Sequence, residues 1–259
     1  MRRRLAFVTL LLVGLAAGCN APVNSRGTCT DFDDGYASFE AGKWAAARDG
    51  FTRYLGTNPP APRRAEVCYY RGLAEVHLQQ RAEAKADFLK ALSLDPREPI
   101  RHFAQVALGN IYFEEGDDPN AVATYSPVVR SAPTDVPIDR VILRMSISLQ
   151  RIGKWSAAAA YLAYLVHNYP GTPASEEGQR RMNATAFAVQ VGAFGTTAAA
   201  NTEAGRLRQA GFSPHIVPMT AKGSQPLQAV QVGSCQTYAE AAALAARVHK
   251  AGFATVIVP

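Results

Sequence analysis

Residues that could carry catalysis occur along the chain without a catalytic spacing. No HExxH metalloprotease motif, GxxxxGK[ST] phosphate loop or GxSxG nucleophile motif is present. Cys235 and His249 could suggest a cysteine hydrolase of the cell wall. However, Cys235 follows one of two similar strand segments that lie 41 residues apart, and the corresponding residue after the other segment is Phe194. This favours a small buried apolar role for Cys235. No CxxC or Cys–His spacing predicts a metal site, and we expect no cofactor and no enzymatic activity. The histidines are His77, His102, His167, His215 and His249.

The N-terminus has the pattern of an export signal. Three arginines at positions 2–4 precede an apolar run at 5–17, and small residues lead to Cys19. The apolar run is too short to cross a bilayer comfortably as a permanent helix. We therefore expect these residues to direct export.

Residues 15–19, Leu-Ala-Ala-Gly-Cys, resemble the lipobox of bacterial lipoproteins, although the leucine lies four residues before the cysteine instead of three. The resemblance implies cleavage after Gly18, a signal peptide at 1–18, diacylglycerol on Cys19 and a linker at 19–30. The membrane would then be a partner only through this lipid anchor. An ordinary signal peptide cut near the same place is the alternative.

The first half of the chain repeats every 37 residues. Four columns of small, apolar or proline residues recur in four rows, and a fifth column marks a turn inside each unit. The columns are Gly35, Gly72, Gly109 and Ser146; Ala47, Ala84, Ala121 and Ala158; Phe51, Phe88, Tyr125 and Leu162; Pro59, Pro96, Pro133 and Pro170; and, in the turn, Gly42, Gln79, Gly116 and Gly153.

These columns resemble the tetratricopeptide repeat (TPR), in which a small residue of helix A, an alanine and an aromatic of helix B, and a closing proline recur. The small residues let helices approach closely, and proline ends helix B because it lacks an N–H. The resemblance implies an all-α solenoid over 31–182, with four helix pairs in 31–170 and a capping helix over Ser175–Met182.

A solenoid of this kind presents a concave face, lined mostly by A helices, that holds an extended peptide or a partner helix. An unidentified protein or peptide in this groove is therefore an expected partner. For any single candidate, plain solvation is the favoured interpretation. The candidate lining residues are Tyr69, Arg71, Glu75, Gln105, Arg144 and Ser148.

Three cysteines remain after the lipobox, namely Cys29, Cys68 and Cys235. In an exported protein, an odd count allows one disulfide and one free thiol. Cys29 precedes the first A helix and Cys68 lies near the start of the second, so a disulfide between them is geometrically feasible. Free thiols at both positions are the alternative.

After a linker at 183–186 the pattern changes from helical to alternating. In 187–194, FAVQVGAF, alternation puts Val189 and Val191 on one face and Gln190 and Gly192 on the other. The pattern recurs 41 residues later in 227–234, and each half continues with an Ala-rich helix, an Ala-Gly-Phe turn and a short strand. We expect helices over Glu203–Ala210 and Ala239–Ala251 and, in total, a βαββαβ unit.

Paired VQVG strands and helices that end in AGF resemble the SPOR domain over 187–259. The resemblance implies a ferredoxin-like fold, a four-stranded antiparallel sheet and binding of peptidoglycan glycan strands whose stem peptides amidases have removed. It implies Gln190 as a glycan contact and Gln231 as its pseudo-symmetric partner, and by analogy Leu227 and Ile257 border the same sheet face. Glutamine amides suit sugar hydroxyls and N-acetyl groups.

The sequence departs from the SPOR pattern on the expected binding face. Ala193 replaces a polar residue after the first-strand glycine, while Leu227 and Ala229 replace an aromatic and an arginine of the third strand. A stacking platform for a sugar and a cationic contact would both be missing. These departures bear on affinity more than on fold.

Charge separates the two parts of the chain. The formal charge of +6 falls to +3 when the three signal arginines are removed, and residues 187–259 hold five basic and two acidic residues. All of the excess therefore lies in the C-terminal domain, where it favours an anionic ligand such as denuded glycan. It does not indicate nucleic acid.

The sequence thus predicts a non-enzymatic periplasmic lipoprotein, anchored to the outer membrane and acting at the septum in cell division or envelope organisation. Its SPOR domain would bind glycan and its TPR repeats a protein. The alternative is a TPR scaffold for outer-membrane assembly or cell-wall synthesis with weak or lost glycan binding.

Overall fold

The computed structural model describes residues 26–219 and 226–259. These residues form a helical N-terminal part and a small C-terminal domain with one sheet. The predicted signal peptide and Cys19 lie outside the described residues. Within the described ranges, no helix combines the length and the apolar character needed to cross a membrane.

The helical part consists of antiparallel pairs, each with an A helix followed by a B helix, and a final single helix. The A helices are α1 (Arg26–Glu40), α3 (Ala61–His77), α5 (Ile100–Glu115) and α7 (Ile138–Arg151). The B helices are α2 (Trp44–Gly56), α4 (Arg81–Ser93), α6 (Asp118–Ser131) and α8 (Trp155–Asn168), and α9 is Pro173–Arg181. The last helix begins two residues before the predicted capping helix, because Thr172 caps it by accepting a hydrogen bond from the Ser175 N–H.

The small residues of the A helices lie directly against the bulky residues of their own B helices. A Cβ added at Gly72 would lie 2.8 Å from Phe88 Cε1, and one added at Gly109 would lie 2.5 Å from Tyr125 Cε1. Both distances are shorter than a normal carbon contact, so only glycine allows this approach. Each of these repeats thus contains a packed pair, with glycine on helix A and an aromatic ring on helix B.

The fourth repeat changes both members of this pair together. Ser146 takes the glycine position and Leu162 takes the aromatic position, and both are completely buried. The Ser146 hydroxyl donates to the Ile142 carbonyl 2.8 Å away, so its polar atom is satisfied inside the helix. A larger residue on α7 is therefore offset by a smaller one on α8.

The turn inside each pair needs a left-handed residue. Gly42, Gly116 and Gly153 have φ of 69°, 74° and 77°, and Gln79 has φ of 62° at the same repeat position. A left-handed conformation is costly for a residue with a side chain, which explains the preference for glycine in three of the four turns.

The C-terminal domain has the predicted βαββαβ order. Its elements are β1 (Phe187–Phe194), α10 (Thr197–Gln209), β2 (Pro214–Met219), β3 (Leu227–Cys235), α11 (Tyr238–Lys250) and β4 (Val256–Val258). The strand order is β2-β3-β1-β4, and every neighbouring pair is antiparallel. The predicted two-part fold, an all-α solenoid followed by this α+β domain, is confirmed.

The α10 helix is longer than the helix predicted from the sequence. It begins at Thr197, six residues before the predicted start at Glu203, because the Thr196 hydroxyl caps it by accepting from the Ala199 N–H. The alanines of the first turns gave no apolar periodicity that would have indicated this start.

Both helices pack on one face of the sheet. The core between them contains Val189, Val230 and Val232 from the central strands, Leu207 from α10 and Val248 from α11, each less than 5% exposed. The other face of the sheet has no helix of this domain against it. We call it the open face.

The two parts of the chain are in contact at the turn between α7 and α8. The Trp155 ring is 8% exposed, and its Nε1–H donates to the Gln236 carbonyl 2.9 Å away. Its ring meets that of Phe187 edge-on at 4.8 Å, and Ala241 of α11 belongs to the same buried cluster. The Arg151 guanidinium lies 5.4 Å from the centre of the Tyr238 ring. The contact therefore joins the fourth repeat to the first strand and second helix of the sheet domain.

Candidate functional site: the open sheet face and the A-helix groove

One row of side chains crosses the open face on all four strands. His215 of β2 lies opposite Gln231 of β3, Gln231 lies opposite Gln190 of β1, and Gln190 lies opposite Val256 of β4. Directly opposed residues of antiparallel strands point to the same face. The structure therefore brings the two predicted glutamines together at the centre of the sheet.

The two glutamines contact each other and keep further hydrogen-bonding capacity. The Gln231 Nε2 donates to Gln190 Oε1 at 3.4 Å, and both side chains are partly exposed. The Gln190 amide nitrogen and the Gln231 amide oxygen form no hydrogen bond with any of the described residues. The pair thus offers donors and an acceptor side by side, which suits a ligand rich in hydroxyl and amide groups.

The ends of the row differ in character. His215 is exposed on β2, which is an edge strand, and Val256 is 61% exposed on the opposite edge strand. Neither residue was predicted from the sequence. The alternation in Pro214–Met219, which places His215 and Val217 on one face, was the signal that could have found His215.

A bulge in β1 corrects one expectation about this face. The register shifts between Gln190 and Gly192, so that Gly192 lies opposite the core residue Val230 and Ala193 lies opposite Ala229. Beyond the bulge, Ala193 and not Gly192 continues the open face. Strict alternation failed here because a bulge inserts one extra residue into a strand.

Leu227 and Ile257 are separated by the register. Leu227 lies opposite Met219, two residues from Ala229 and four from Gln231, so it shares the open face. Ile257 lies opposite Val189 and packs near Phe187 on the helix side. The expectation that Ile257 borders the binding face is therefore corrected, since β4 exposes Val256 and Val258 there instead.

The centre of the open face is shallow next to the glutamines. Ala229 is 1% exposed and Ala193 is exposed, while Leu227 is half-buried at the end of β3. None of these three side chains offers an aromatic ring or a charge. The departures from the SPOR pattern noted in the sequence thus lie on the face where they would matter for a ligand.

The A-helix surface of the solenoid differs from the predicted lining. Three of the candidate side chains pack within the solenoid instead of lining the groove, namely Arg71, Glu75 and Ser148. Glu75 is 6% exposed and Ser148 is fully buried. Arg71 holds Asp87 through two hydrogen bonds of 2.6 and 2.7 Å. Helix periodicity did not separate these positions from solvent-facing ones, because they face the neighbouring B helix.

Burial makes the carboxylate of Glu75 unusual. Burial, followed by the nearby Asp87 carboxylate, raises the pKa of Glu75 to about 7 from its ordinary value of 4.5, while Arg71 acts in the opposite direction. The Glu75 Oε2 atom is buried without a hydrogen-bond partner among the described residues. This group contributes to the solenoid interior and not to a binding surface.

Tyr69, Gln105 and Arg144 remain partly exposed. The Tyr69 ring lies 6.0 Å from that of Phe103, and burial raises its pKa strongly. The Arg144 guanidinium lies 5.4 Å from the centre of the Phe113 ring. These three candidates are therefore available for contact with a partner at their outer edges only.

A groove lined by aromatic rings runs across the first three A helices. Its volume is about 280 Å³, and its wall is mostly apolar with one carboxylate. The Tyr36 and Tyr70 rings meet edge-on at 5.2 Å, which fixes the shape of the wall. The lining residues are Phe32, Tyr36, Glu66, Tyr70, Pro99, Ile100 and Phe103.

The predicted disulfide involves one described side chain. Cys68 is buried in α3, and burial, followed by the Asp87 charge, raises the pKa of its thiol to about 11. The Cys29 side chain lies outside the described residues, so the pairing stays a prediction. Thiol titration of the unfolded, oxidised mature chain tests it: one reactive thiol supports the disulfide, and three exclude it.

No group of three or more metal-ligating side chains occurs within 26–219 and 226–259. Cys235 is half-buried near Phe187 and Trp155, and burial, followed by the Glu240 charge, raises the pKa of its thiol. A raised pKa disfavours the thiolate, which is the nucleophilic form. The geometry of Cys235 thus fits the small apolar role expected from the sequence.

The chain is similar to several solved structures. The structure MamA AMB-1 is 17% identical over 60% of this chain and 82% of its own, with a TM-score of 0.49. Crystal structure of MamA protein and MamA MSR-1 are each 16% identical over 60% of this chain, covering 84% and 87% of their own lengths, with TM-scores of 0.48 and 0.46. None of the curated proteins is similar enough to count as a match.

Family models match both parts of the chain. Residues 65–98 and 140–172 match tetratricopeptide repeat models, and residues 183–259 match the SPOR domain model. The repeat matches cover most of the second and of the fourth helix pair, and the SPOR match covers the whole sheet domain. SPOR domains suggest peptidoglycan binding, and tetratricopeptide repeats suggest protein interaction; both are typically binding modules without catalysis. This chain therefore carries a SPOR domain behind tetratricopeptide repeats.

Proposed function

We propose that this protein is a periplasmic lipoprotein that binds denuded glycan strands of septal peptidoglycan through its SPOR domain and a protein partner through its repeats. Its membrane anchor would be the lipid on Cys19, and its membrane the outer one. In this role it links the envelope membrane, or a cell-wall enzyme, to the division site.

The observation that carries the proposal is the glutamine pair on the open face. Gln190 and Gln231 meet at the middle of the sheet, on the face that no helix of the domain covers, with an amide nitrogen and an amide oxygen left to pair with a ligand. A glycan strand is long and presents hydroxyl and N-acetyl groups at regular intervals. A row across the sheet with polar side chains on three of its four strands suits such a ligand.

The net charge of the domain also agrees with an anionic ligand. Residues 187–259 carry a formal charge of +3, and removal of stem peptides leaves a free lactyl carboxylate on each muramic acid. The resulting attraction is long-ranged at low salt and is screened as salt increases. Binding should therefore weaken with ionic strength.

The direct test is co-sedimentation of the full chain with amidase-treated and intact sacculi. We expect retention on amidase-treated sacculi, weaker retention on intact sacculi and loss of retention in the Gln190→Ala, Gln231→Ala double variant. A double variant at Gln209 and Gln236, which lie outside the row, provides the matched control. Equal retention on both kinds of sacculi would contradict the proposal.

A second candidate function is a protein-interaction scaffold that has weak or no glycan binding. Leu227 and Ala229 favour it, because the open face lacks both an aromatic platform and an arginine there. The aromatic groove of the A helices would then carry the main activity, in outer-membrane assembly or cell-wall synthesis. A fluorescent fusion of the full chain separates the two candidates. Septal bands that the glutamine double variant loses support glycan binding, whereas bands or diffuse signal unaffected by that variant support the scaffold.

A further inference from the structure

The open face has a single described strand residue that can carry a positive charge, and it is His215. None of the other described strand residues is a lysine, an arginine or a histidine. His215 is exposed and lies directly opposite Gln231. An imidazole donates a hydrogen bond in both of its protonation states and is cationic when protonated.

The other described cations of the domain belong to the helices. Arg206 and Arg208 are on α10, and Arg247 and Lys250 are on α11, which pack on the opposite face. Arg206 is also held by Glu203 at 2.7 Å. The described part of the domain's positive charge is thus separated from the open face by the sheet, apart from what His215 supplies.

His215 lies next to the glutamine pair in the row that crosses the sheet. Neighbouring strands of a sheet are about 4.8 Å apart, so a row over four strands spans about 14 Å. His215 extends the Gln190–Gln231 pair by one strand, to the edge strand β2, where its side chain is exposed. A ligand lying across the glutamines along this row would reach the imidazole next.

We propose that His215 is a specificity-determining residue of the glycan site, where its imidazole N–H donates to the lactyl carboxylate that stem-peptide removal exposes. This proposal rests on the proposed glycan binding. The Gln190–Gln231 pair contacts the neutral hydroxyl and amide groups of the sugars, and His215 recognises the charged group that distinguishes denuded from intact glycan. It supplies a hydrogen-bond contact to the carboxylate that Ala229 cannot make.

The test measures binding of the full chain to soluble denuded glycan and to the same glycan after its carboxylates are converted to carboxamides. The variants are His215→Gln, which keeps hydrogen bonding without positive charge, and His215→Arg, which keeps a cation. His249→Gln is the matched control, because His249 is an exposed histidine on α11. Since His215 is exposed, we expect all variants to keep the unfolding temperature of the wild type.

We expect His215→Gln to weaken binding to denuded glycan about fivefold, His215→Arg to retain it and His249→Gln to leave it unchanged. On the carboxamide glycan, the wild type and His215→Gln should bind equally. Intact glycan, whose stem peptides carry other carboxylates, should show no dependence on His215.

Three results would overturn the assignment. If His215→Gln binds denuded glycan as tightly as the wild type, His215 has no role and the glycan proposal stands without it. If His215→Gln is weaker by the same factor on both glycans, the imidazole contacts the sugar and not the carboxylate. If the wild type itself does not bind denuded glycan, both proposals fail together.

Discussion

Replacement of Trp155 by alanine should separate the stability of the SPOR domain from that of the repeats. The Trp155 side chain is 8% exposed, and it is the centre of the contact between the two parts of the chain. Its indole N–H bonds the Gln236 carbonyl at 2.9 Å and its ring meets Phe187 at 4.8 Å. Alanine removes the ring, the hydrogen bond and the cover over Phe187 in one step.

The magnitude follows from what the ring contacts. Truncation of a buried tryptophan to alanine costs about 3–5 kcal/mol, and the hydrogen bond accounts for about 1 kcal/mol of this. Because the site lies at an edge where water can enter, we expect a loss near the lower limit, about 3 kcal/mol. For a domain of this size, that loss lowers the unfolding temperature by about 10 °C or more.

Differential scanning calorimetry of the full chain measures this effect. We expect the transition of the SPOR domain to move down and to separate from that of the repeats. Trp155→Phe, which keeps a ring but loses the hydrogen bond, should cost only about 1 kcal/mol.

Trp44 provides the matched control. It lies 111 residues before Trp155, at the same position of a repeat three units earlier, and begins α2 as Trp155 begins α8. The Trp44 ring stacks on His77 at 3.8 Å within the solenoid. Trp44→Ala should therefore lower the transition of the repeats and leave that of the SPOR domain in place.

The inference about the contact is refuted if the SPOR transition of Trp155→Ala stays within about 2 °C of the wild type. It is also refuted if Trp44→Ala lowers the SPOR transition by as much as Trp155→Ala does. The first result would mean that the contact at Trp155 adds nothing to the stability of the sheet domain, and the second that the loss is not specific to this contact.

The remaining predictions concern two glycines, Gly109 and Gly205, and the buried carboxylate of Glu75. Gly109→Ala should destabilise the chain by about 1–2 kcal/mol in urea unfolding, because its Cβ would lie 2.5 Å from a tyrosine ring. Gly205→Ala, in α10 with nothing within 4 Å, should instead stabilise it by about 0.5–1 kcal/mol. Glu75 has a pKa raised from 4.5 to about 7 in the folded chain, so folded protein binds its proton more tightly than unfolded protein does. The stability that this proton contributes is therefore fully present below pH 4.5 and is lost as pH rises through about 7. The full loss is about 3 kcal/mol, and Glu75→Gln should lack it.

These predictions have clear contrary results. Equal effects of alanine at Gly109 and Gly205 would show that the ring moves aside without cost. For Glu75, the difference in unfolding free energy between the wild type and Glu75→Gln is compared at pH 5 and pH 8. A difference that stays constant would show that the buried carboxylate is not the titrating group.

The sequence was sufficient for those features that depend on local spacing. The 37-residue columns predicted the helix pairs because each column has a local physical role: glycine at a close approach, a ring against it, a left-handed turn residue and a closing proline. The 41-residue repeat predicted the βαββαβ order, and alternation placed Gln190 and Gln231 on one face. Caps were harder to predict, and α10 begins earlier than expected because Thr196, and not apolar periodicity, sets its start.

Other features depend on pairing between distant segments. The bulge after Gln190 brings Ala193 to the open face, and the register of β4 sends Ile257 to the helix side, since a shift of one residue exchanges the two faces of a strand. The pairing of β2 with β3 likewise places His215 opposite Gln231, which lies 16 residues further along the chain. Trp155 shows no local sign of its role, because it occupies the position that Trp44 uses inside the solenoid.

By itself, the sequence determined two repeat families, the order of their elements and the polar residues of the central strands, because each is written in short-range spacing. Only the tertiary structure decided which of those residues share the open face, which candidate groove residues are buried in ion pairs, and where the two domains meet. Strand register and the packing of helices bring together side chains whose separation along the chain carries no signal of their contact.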